Sequence, residues 1–98
     1  MTPIKVNIGC AVMLRRMLNR KIYGQKHIPE TLVKSWVKHL PKYVHKAAMK
    51  DWDICKKENF VVQKSKPTEL EVSLNPKRLS EILKLVEHTI EEQEAEGK

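Results

Sequence analysis

The sequence predicts a single, mainly helical domain with one β-hairpin, an α+β fold, and three observations support this prediction. Residues 60–75 contain two short runs on either side of Pro67, and residues 70–75 alternate apolar and polar side chains with the period of a strand. Pro29 and Pro41 each begin a short amphipathic segment, as proline often does in the first turn of a helix. Two further amphipathic segments lie before Gly24 and after Pro76.

Three helices are predicted before the hairpin. Asn7 is the expected cap of a first helix that runs to about residue 22 and is ended by Gly24, and residues 25–28 form a short extended link. The second helix begins at Pro29 and stops before Pro41, and the third runs from Lys42 to about residue 57. Their apolar positions recur at helical spacing: Leu32, Val33, Trp36, Val37 and Leu40 in the second helix, and Val44, Ala48, Trp52 and Cys55 in the third. We expect Trp36 and Trp52 to be buried between these two helices.

Asn59 stands where the third helix must reverse into a strand, and asparagine tolerates the left-handed conformation that such a reversal needs. The predicted strands are Phe60–Ser65 and Glu69–Asn75, with Phe60 and Val62 facing the core. Pro76 opens a fourth helix whose predicted inward positions are Leu79, Ile82, Leu83, Val86 and Ile90. The domain is predicted to span residues 1–90, and residues 91–98 form an acidic, frayed tail.

Leu85 lies off the apolar stripe of the fourth helix. It is either a contact of a homodimer formed through the C-terminal helix or a lone surface leucine.

Basic charge is concentrated in the first half of the chain. Residues 1–50 contain eleven Lys or Arg and a single acidic residue, Glu30, whereas residues 51–98 have a net charge of −3. Solvated helix faces account for individual lysines, but such faces normally intersperse both signs of charge. This imbalance favours a polyanionic partner, and nucleic acid is a better candidate than a membrane because no bulky apolar face is left over.

Cys10 and Cys55 show neither a CxxC motif nor a ligand spacing, so we expect two buried free thiols and neither a zinc site nor a disulfide. The apolar run of residues 8–14 ends at Arg15 and Arg16 and is too short for a signal peptide or a membrane span. These features predict a cytoplasmic protein without a cofactor.

The order of helix, turn, helix and hairpin over residues 28–82 resembles the winged helix-turn-helix superfamily, in particular its small archaeal-type DNA-binding proteins. One part of the pattern is an apolar residue, a polar run and an apolar strand start, here Cys55, KKEN and Phe60. The resemblance covers a little over half of the chain and rests on element order, without an invariant motif. It implies a minimal strand within residues 25–28 that pairs with the hairpin.

The resemblance also implies which residues would touch double-stranded DNA. The third helix would be the recognition helix in the major groove, the hairpin would be the wing, and the second helix would hold the backbone. The matching positions are Lys42, Tyr43, His45, Lys46, Met49 and Lys50 on the third helix, Lys64 and Lys66 on the wing, and Lys34 and Lys38 on the second helix. The recognition face lacks the Arg, Asn and Gln side chains that read bases, and Glu69 and Glu71 oppose the wing lysines.

The first functional hypothesis is therefore a small transcription regulator or chromatin-associated factor that binds duplex DNA. A winged helix that binds another protein, and an RNA-binding or ribosome-binding protein, remain alternatives. An enzyme is not expected, because the four histidines lie at no recognised catalytic or metal-ligand spacing.

Overall fold

The computed structural model describes residues 8–96, with side chains up to residue 89. These residues form four α-helices and one antiparallel sheet, which confirms the α+β class. The helices are α1 (Ile8–Asn19), α2 (Glu30–Ser35), α3 (Lys42–Lys57) and α4 (Leu79–Glu96), and the strands are β1 (Ile28–Pro29), β2 (Val61–Ser65) and β3 (Leu70–Leu74). The expected cap Asn7, the side chain of Ile90 and residues 97–98 lie outside the described part.

The sheet has the strand order β1, β3, β2, so β3 lies in the middle. In the hairpin Val61 pairs with Leu74 and Ser65 with Leu70, and the tip is closed by the amide of Lys66, which donates to the carbonyl of Glu69 at 3.0 Å. On the other side of β3, Ile28 pairs with Val72, so the short strand predicted beside the hairpin is present.

Helices α1 and α3 end in the same backbone motif. In α3 the amide of Phe60 donates to the carbonyl of Cys55 at 3.0 Å, and Asn59 between them has a φ of 62°, as predicted from the sequence. In α1 the equivalent bond runs from Ile22 to Met17 at 2.9 Å, and Lys21 has the positive φ of 56°. Helix α1 therefore ends at Asn19, before Gly24, with a lysine in a conformation that costs about 1–2 kcal/mol for most residues.

The core lies where α1 packs against α3 and α4 and where β3 covers the helices. Trp52 is 0% exposed and Trp36 is 7% exposed, so the predicted burial of both tryptophans is confirmed. Trp36 follows the end of α2 and lies beneath Arg16 and Arg20, so its expected position between the second and third helices is not confirmed. The core residues are Cys10, Ala11, Met13, Leu14, Met17, Ile22, Val33, Trp36, Val37, Ala48, Trp52, Cys55, Phe60, Val61, Val72, Leu74, Ile82 and Val86.

The second helix is shorter than its apolar pattern predicts. Helix α2 ends at Ser35, and the next residues continue as tighter turns, with Trp36 donating to the carbonyl of Val33 and Leu40 to that of Val37. Leu32 is 42% exposed, so the prediction that it belongs to the core is wrong. Leu32 precedes the tighter turns and lies at the margin of the buried stripe of Val33, Trp36 and Val37, so its side chain faces solvent.

Two other inward positions are corrected by the structure. Val61 is 2% exposed and Val62 is 39% exposed, so the adjacent residues Phe60 and Val61 are both buried and Val62 faces outward. Phe60 occupies the helix reversal before β2, and within β2 only Val61 is buried, whereas residues 62–65 are exposed. In α4, Leu83 is 43% exposed, whereas Leu85 is half-buried and packs against the core. The backbone of α4 includes residues 91–96, which the sequence assigned to the tail.

Arg78 connects the beginning of α4 to the end of α3. Its guanidinium lies over the ring of Phe60, 4.2 Å from the centroid, donates a hydrogen bond to the carbonyl of Glu58, and pairs with Glu81 at 2.7 Å. The pKa of the Glu81 carboxyl is lowered, chiefly by the hydrogen bond from Arg78. These contacts keep the end of α3 next to the start of α4.

Candidate nucleic-acid interface

The outward face of α3 carries most of the predicted contact residues. Because Ala48, Trp52 and Cys55 are buried, the opposite side of the helix faces solvent. That side presents the exposed side chains of Lys42, Lys46 and Lys50 at intervals of four residues, together with Tyr43, which is 78% exposed. His45 and Met49 are half-buried, and Met49 packs against the core, so these two offer less surface than the sequence predicted.

Among the described side chains, the three lysines of this face form no ion pair of their own, although the exposed Asp53, which pairs with Lys56, lies on the same side of α3. Within residues 8–89, Lys42, Lys46 and Lys50 take part in no ion pair, and the first turn of α3 contains no acidic residue. The N-terminal end of a helix is itself positive, so the helix dipole adds to the charge of Lys42. Like charges at a spacing of four residues repel one another, and an anion that comes close to the row reduces this repulsion and is attracted to it.

On the hairpin, the two predicted lysines differ in their surroundings. Lys66 pairs with Glu71, with 3.6 Å between its Nζ and a carboxylate oxygen. Lys64 is exposed and lies directly across from Glu71 in the strand pairing, but no ion pair engages it within residues 8–89. Lys64 is therefore the hairpin cation that is available to a partner, while Lys66 is partly neutralised.

The two lysines predicted on the second helix are also in different environments. Lys34 lies on α2, and its Nζ is 3.3 Å from a carboxylate oxygen of Glu30. Lys38 lies beyond the end of α2, in the turn that leads to α3, and is exposed. Lys38 is therefore able to approach a phosphate, whereas the charge of Lys34 is partly neutralised by its ion pair with Glu30.

Glu30 is a buried carboxylate that sequence reasoning placed only near the start of a helix. One oxygen accepts hydrogen bonds from Nε1 of Trp52 and from Nζ of Lys56, both at 2.9 Å. Burial on its own raises the pKa of this carboxyl, but these two hydrogen bonds and the charges of Lys56 and Lys34 outweigh burial and lower the pKa. The cluster ties the start of α2 to α3 and so holds the helix that carries the lysine row.

A second basic surface lies on α1 and was not selected from the sequence. The guanidinium groups of Arg16 and Arg20 lie over the indole ring of Trp36, with 5.8 and 5.2 Å between Cζ and the ring centroid. The side chains of both arginines are exposed. Their spacing of four residues was the available signal, but it did not show that Trp36 would lie beneath them.

Comparison of the chain with models of known protein families, with curated proteins and with solved structures found no match. Among residues 8–96, no group of three or more His, Cys, Asp or Glu side chains is placed to hold a metal ion. No helix in the described part of the chain is both long and apolar enough to cross a membrane. The features of this surface that bear on function are therefore the exposed lysines of α3 and the arginines stacked on Trp36.

Proposed function

We propose that this protein is a winged helix-turn-helix protein that binds duplex DNA mainly through its phosphates, as a small transcription regulator or chromatin-associated factor. The observation that carries the proposal is the exposed lysine row of α3, formed by Lys42, Lys46 and Lys50, which no ion pair neutralises within residues 8–89. In this proposal α3 lies along the major groove, and the hairpin contacts the backbone beside it.

The order of elements supports the same arrangement. Helices α2 and α3 are joined by a short turn and followed by the β2–β3 hairpin, and β1 adds a third strand to the side of β3 away from β2. A winged helix-turn-helix uses this order, with α3 as the recognition helix and the hairpin as the wing.

Lysines favour phosphate contact over base reading. An ammonium group is a point charge, whereas bidentate recognition of a base edge needs the fork of Arg or the amide of Asn or Gln. The exposed face of α3 has none of these three residue types. We therefore expect binding that depends weakly on DNA sequence and strongly on salt concentration.

The salt dependence gives the proposal a magnitude. Each phosphate neutralised contributes about −0.9 to the slope of log affinity against log salt concentration, so three lysines contribute about −2.7. Over a fourfold rise in salt, from about 50 to 200 mM, these three contacts account for a loss of affinity of about 40-fold.

The test is a fluorescence anisotropy titration of labelled duplex DNA with the parent protein and a variant in which Lys42, Lys46 and Lys50 are all Ala. We expect weaker binding to every duplex sequence and a slope that is less negative by about 2.7.

The control variant replaces Lys21, Lys77 and Lys84 by Ala, which lowers the net charge equally by removing exposed lysines, none of which lies on α3. Circular dichroism checks that both variants remain folded. A parent protein that does not bind duplex DNA at low salt would refute the proposed function. Equal affinities of the two variants would show that α3 is not the contact.

Structured or single-stranded RNA is a second candidate partner, and Tyr43 is the observation that favours it. An aromatic ring that is 78% exposed among lysines offers a stacking surface for unpaired bases. Titrations with a hairpin RNA and with single-stranded DNA distinguish this candidate. Tighter binding to RNA than to duplex DNA, lost on Tyr43→Ala, would favour the RNA partner.

Protein partners remain a third candidate, because Leu32, Val62 and Leu83 expose 39–43% of their surface. Of these, Leu83 lies on α4, whereas Leu85, the residue first considered for a homodimer, packs against the core. A homodimer through α4 would therefore use Leu83, and sedimentation of the parent and of Leu83→Lys tests it.

A further inference from the structure

Arg16, Arg20 and Trp36 form a cluster that the α3 row does not include. The two arginines are one helical turn apart on α1, and both guanidinium groups lie over one indole ring. Trp36 is 7% exposed, so the ring is a fixed support, while the arginine side chains remain exposed on top of it. Stacking on an aromatic face restricts a guanidinium but leaves its N–H edge free to donate hydrogen bonds.

The cluster carries two positive charges that no ion pair among the described side chains neutralises. Within residues 8–89, no ion pair involves Arg16 or Arg20. Glu30 is the only acidic residue among the first fifty, and its oxygens are already engaged by Trp52, Lys56 and Lys34. Two cations that share one ring repel each other, and an anion bound at their exposed edges relieves that repulsion.

The cluster also adjoins the segment that leads to α3. Trp36 is the first residue after α2, and the same turn presents the exposed Lys38 before Lys42 begins α3. On the other side, the Nζ of Lys26 donates to the carbonyl of Arg20 at 3.2 Å, which places another cation at the end of α1. In chain order, Trp36 and the exposed Lys38 therefore connect the arginine cluster to the lysine row of α3.

From these observations we infer that Arg16 and Arg20 form a second contact for a backbone phosphate of the duplex DNA bound by α3, with Trp36 as the support that orients them. The inference rests on the proposed function and adds a site to it. A guanidinium fork matches the geometry of a phosphate and forms two parallel hydrogen bonds with it, which a lysine does not. The site thus fixes the position of the backbone while the α3 lysines supply general attraction.

The test compares three variants in the same duplex DNA titration at two salt concentrations. Arg16→Gln with Arg20→Gln removes the contact with one phosphate, and we expect a loss of affinity on the order of tenfold and a slope less negative by about 0.9. Arg16→Lys with Arg20→Lys keeps the charges and loses the fork, so we expect weaker binding with the slope retained. Arg15→Gln with Lys21→Gln is the matched control, with one residue on α1 and one just after its end, since both side chains are exposed and neither lies over Trp36. It should lose less affinity than the Arg16 and Arg20 pair.

The outcomes separate this inference from the proposed function. If the parent and the α3 lysine variant behave as proposed but both glutamine pairs bind alike, the arginine site is refuted and the α3 assignment stands. If Arg16→Gln with Arg20→Gln weakens binding to hairpin RNA and leaves binding to duplex DNA unchanged, the inference is wrong about the partner of this site. If the parent binds no duplex DNA, both are wrong. Thermal unfolding of each variant shows whether a change in affinity is separate from a change in stability.

Discussion

Removing the carboxylate of Glu30 should destabilise the protein more than any other single charged substitution in the described part of the chain. In Glu30→Ala, Nε1 of the fully buried Trp52 loses its acceptor, and Lys56 loses its buried partner. Loss of one partner of a buried charged pair typically costs about 3–5 kcal/mol. The side chain of Lys56 is still 16% exposed and regains some hydration, so we expect the lower end, about 3 kcal/mol.

Urea denaturation followed by circular dichroism measures this loss as a lower midpoint at an unchanged slope. For a domain of this size, about 3 kcal/mol corresponds to a decrease of the melting temperature of roughly 12–24 °C. Glu30→Gln retains an oxygen that can accept from Trp52 and should cost less than Glu30→Ala. In a double-mutant cycle with Lys56→Met, the two single losses should exceed the double loss by more than about 1 kcal/mol.

The stabilisation should also depend on pH in a defined direction. The pKa of Glu30 is lower in the folded protein than its ordinary value of 4.5, so the unfolded chain takes up a proton at higher pH. The contribution is therefore complete above about pH 4.5 and is lost as the pH falls through the folded pKa. The pKa of Lys56 is also affected by burial, which lowers it, but its hydrogen bond and attraction to Glu30 raise it overall, so its contribution is lost only above about pH 10.5.

Between about pH 5 and 3, the stability of the parent should fall more steeply than that of Glu30→Ala. If Glu30→Ala costs less than about 0.5 kcal/mol, or if its pH profile runs parallel to that of the parent, the carboxylate does not hold α2 to α3 as argued.

Two further predictions concern the helix ends and the cysteines. Lys21→Gly should raise the unfolding free energy by about 0.5–1 kcal/mol, because glycine adopts the φ of 56° without strain. Asn59→Ala should lower the unfolding free energy by about 1 kcal/mol, because alanine tolerates the positive φ at this position less well than asparagine. Denaturation midpoints that move in the opposite directions would contradict this explanation. Cys10 and Cys55 are fully buried with their sulfurs 4.0 Å apart, and the hydrogen bond between them together with burial raises the pKa of Cys10. Both thiols should therefore resist an aromatic disulfide reagent in the folded protein and react in denaturant, and rapid reaction of two thiols under native conditions would show that they are accessible.

Much of the architecture followed from local patterns in the sequence. The hairpin was predicted because the period of two is a property of the strand itself, and the start of α3 was predicted because proline restricts the backbone around it. The reversal at Asn59 and the exposed row of Lys42, Lys46 and Lys50 follow in the same way, since a left-handed residue and a helical spacing of 3.6 can both be read from a few neighbouring residues.

Tertiary structure decided the features that depend on how separate elements approach one another. Leu83 and Leu85 flank the stripe of Leu79, Ile82 and Val86 on opposite sides. The way α4 packs against α1 decides that Leu85 is the one that is packed, and the stripe alone does not specify this. The bond between Glu30 and Trp52 joins positions 22 residues apart, and the ring of Trp36 lies under Arg16 and Arg20, which belong to a different part of the chain. Burial raises the energetic importance of such long-range polar contacts, yet their partners are set by packing, which no local pattern encodes.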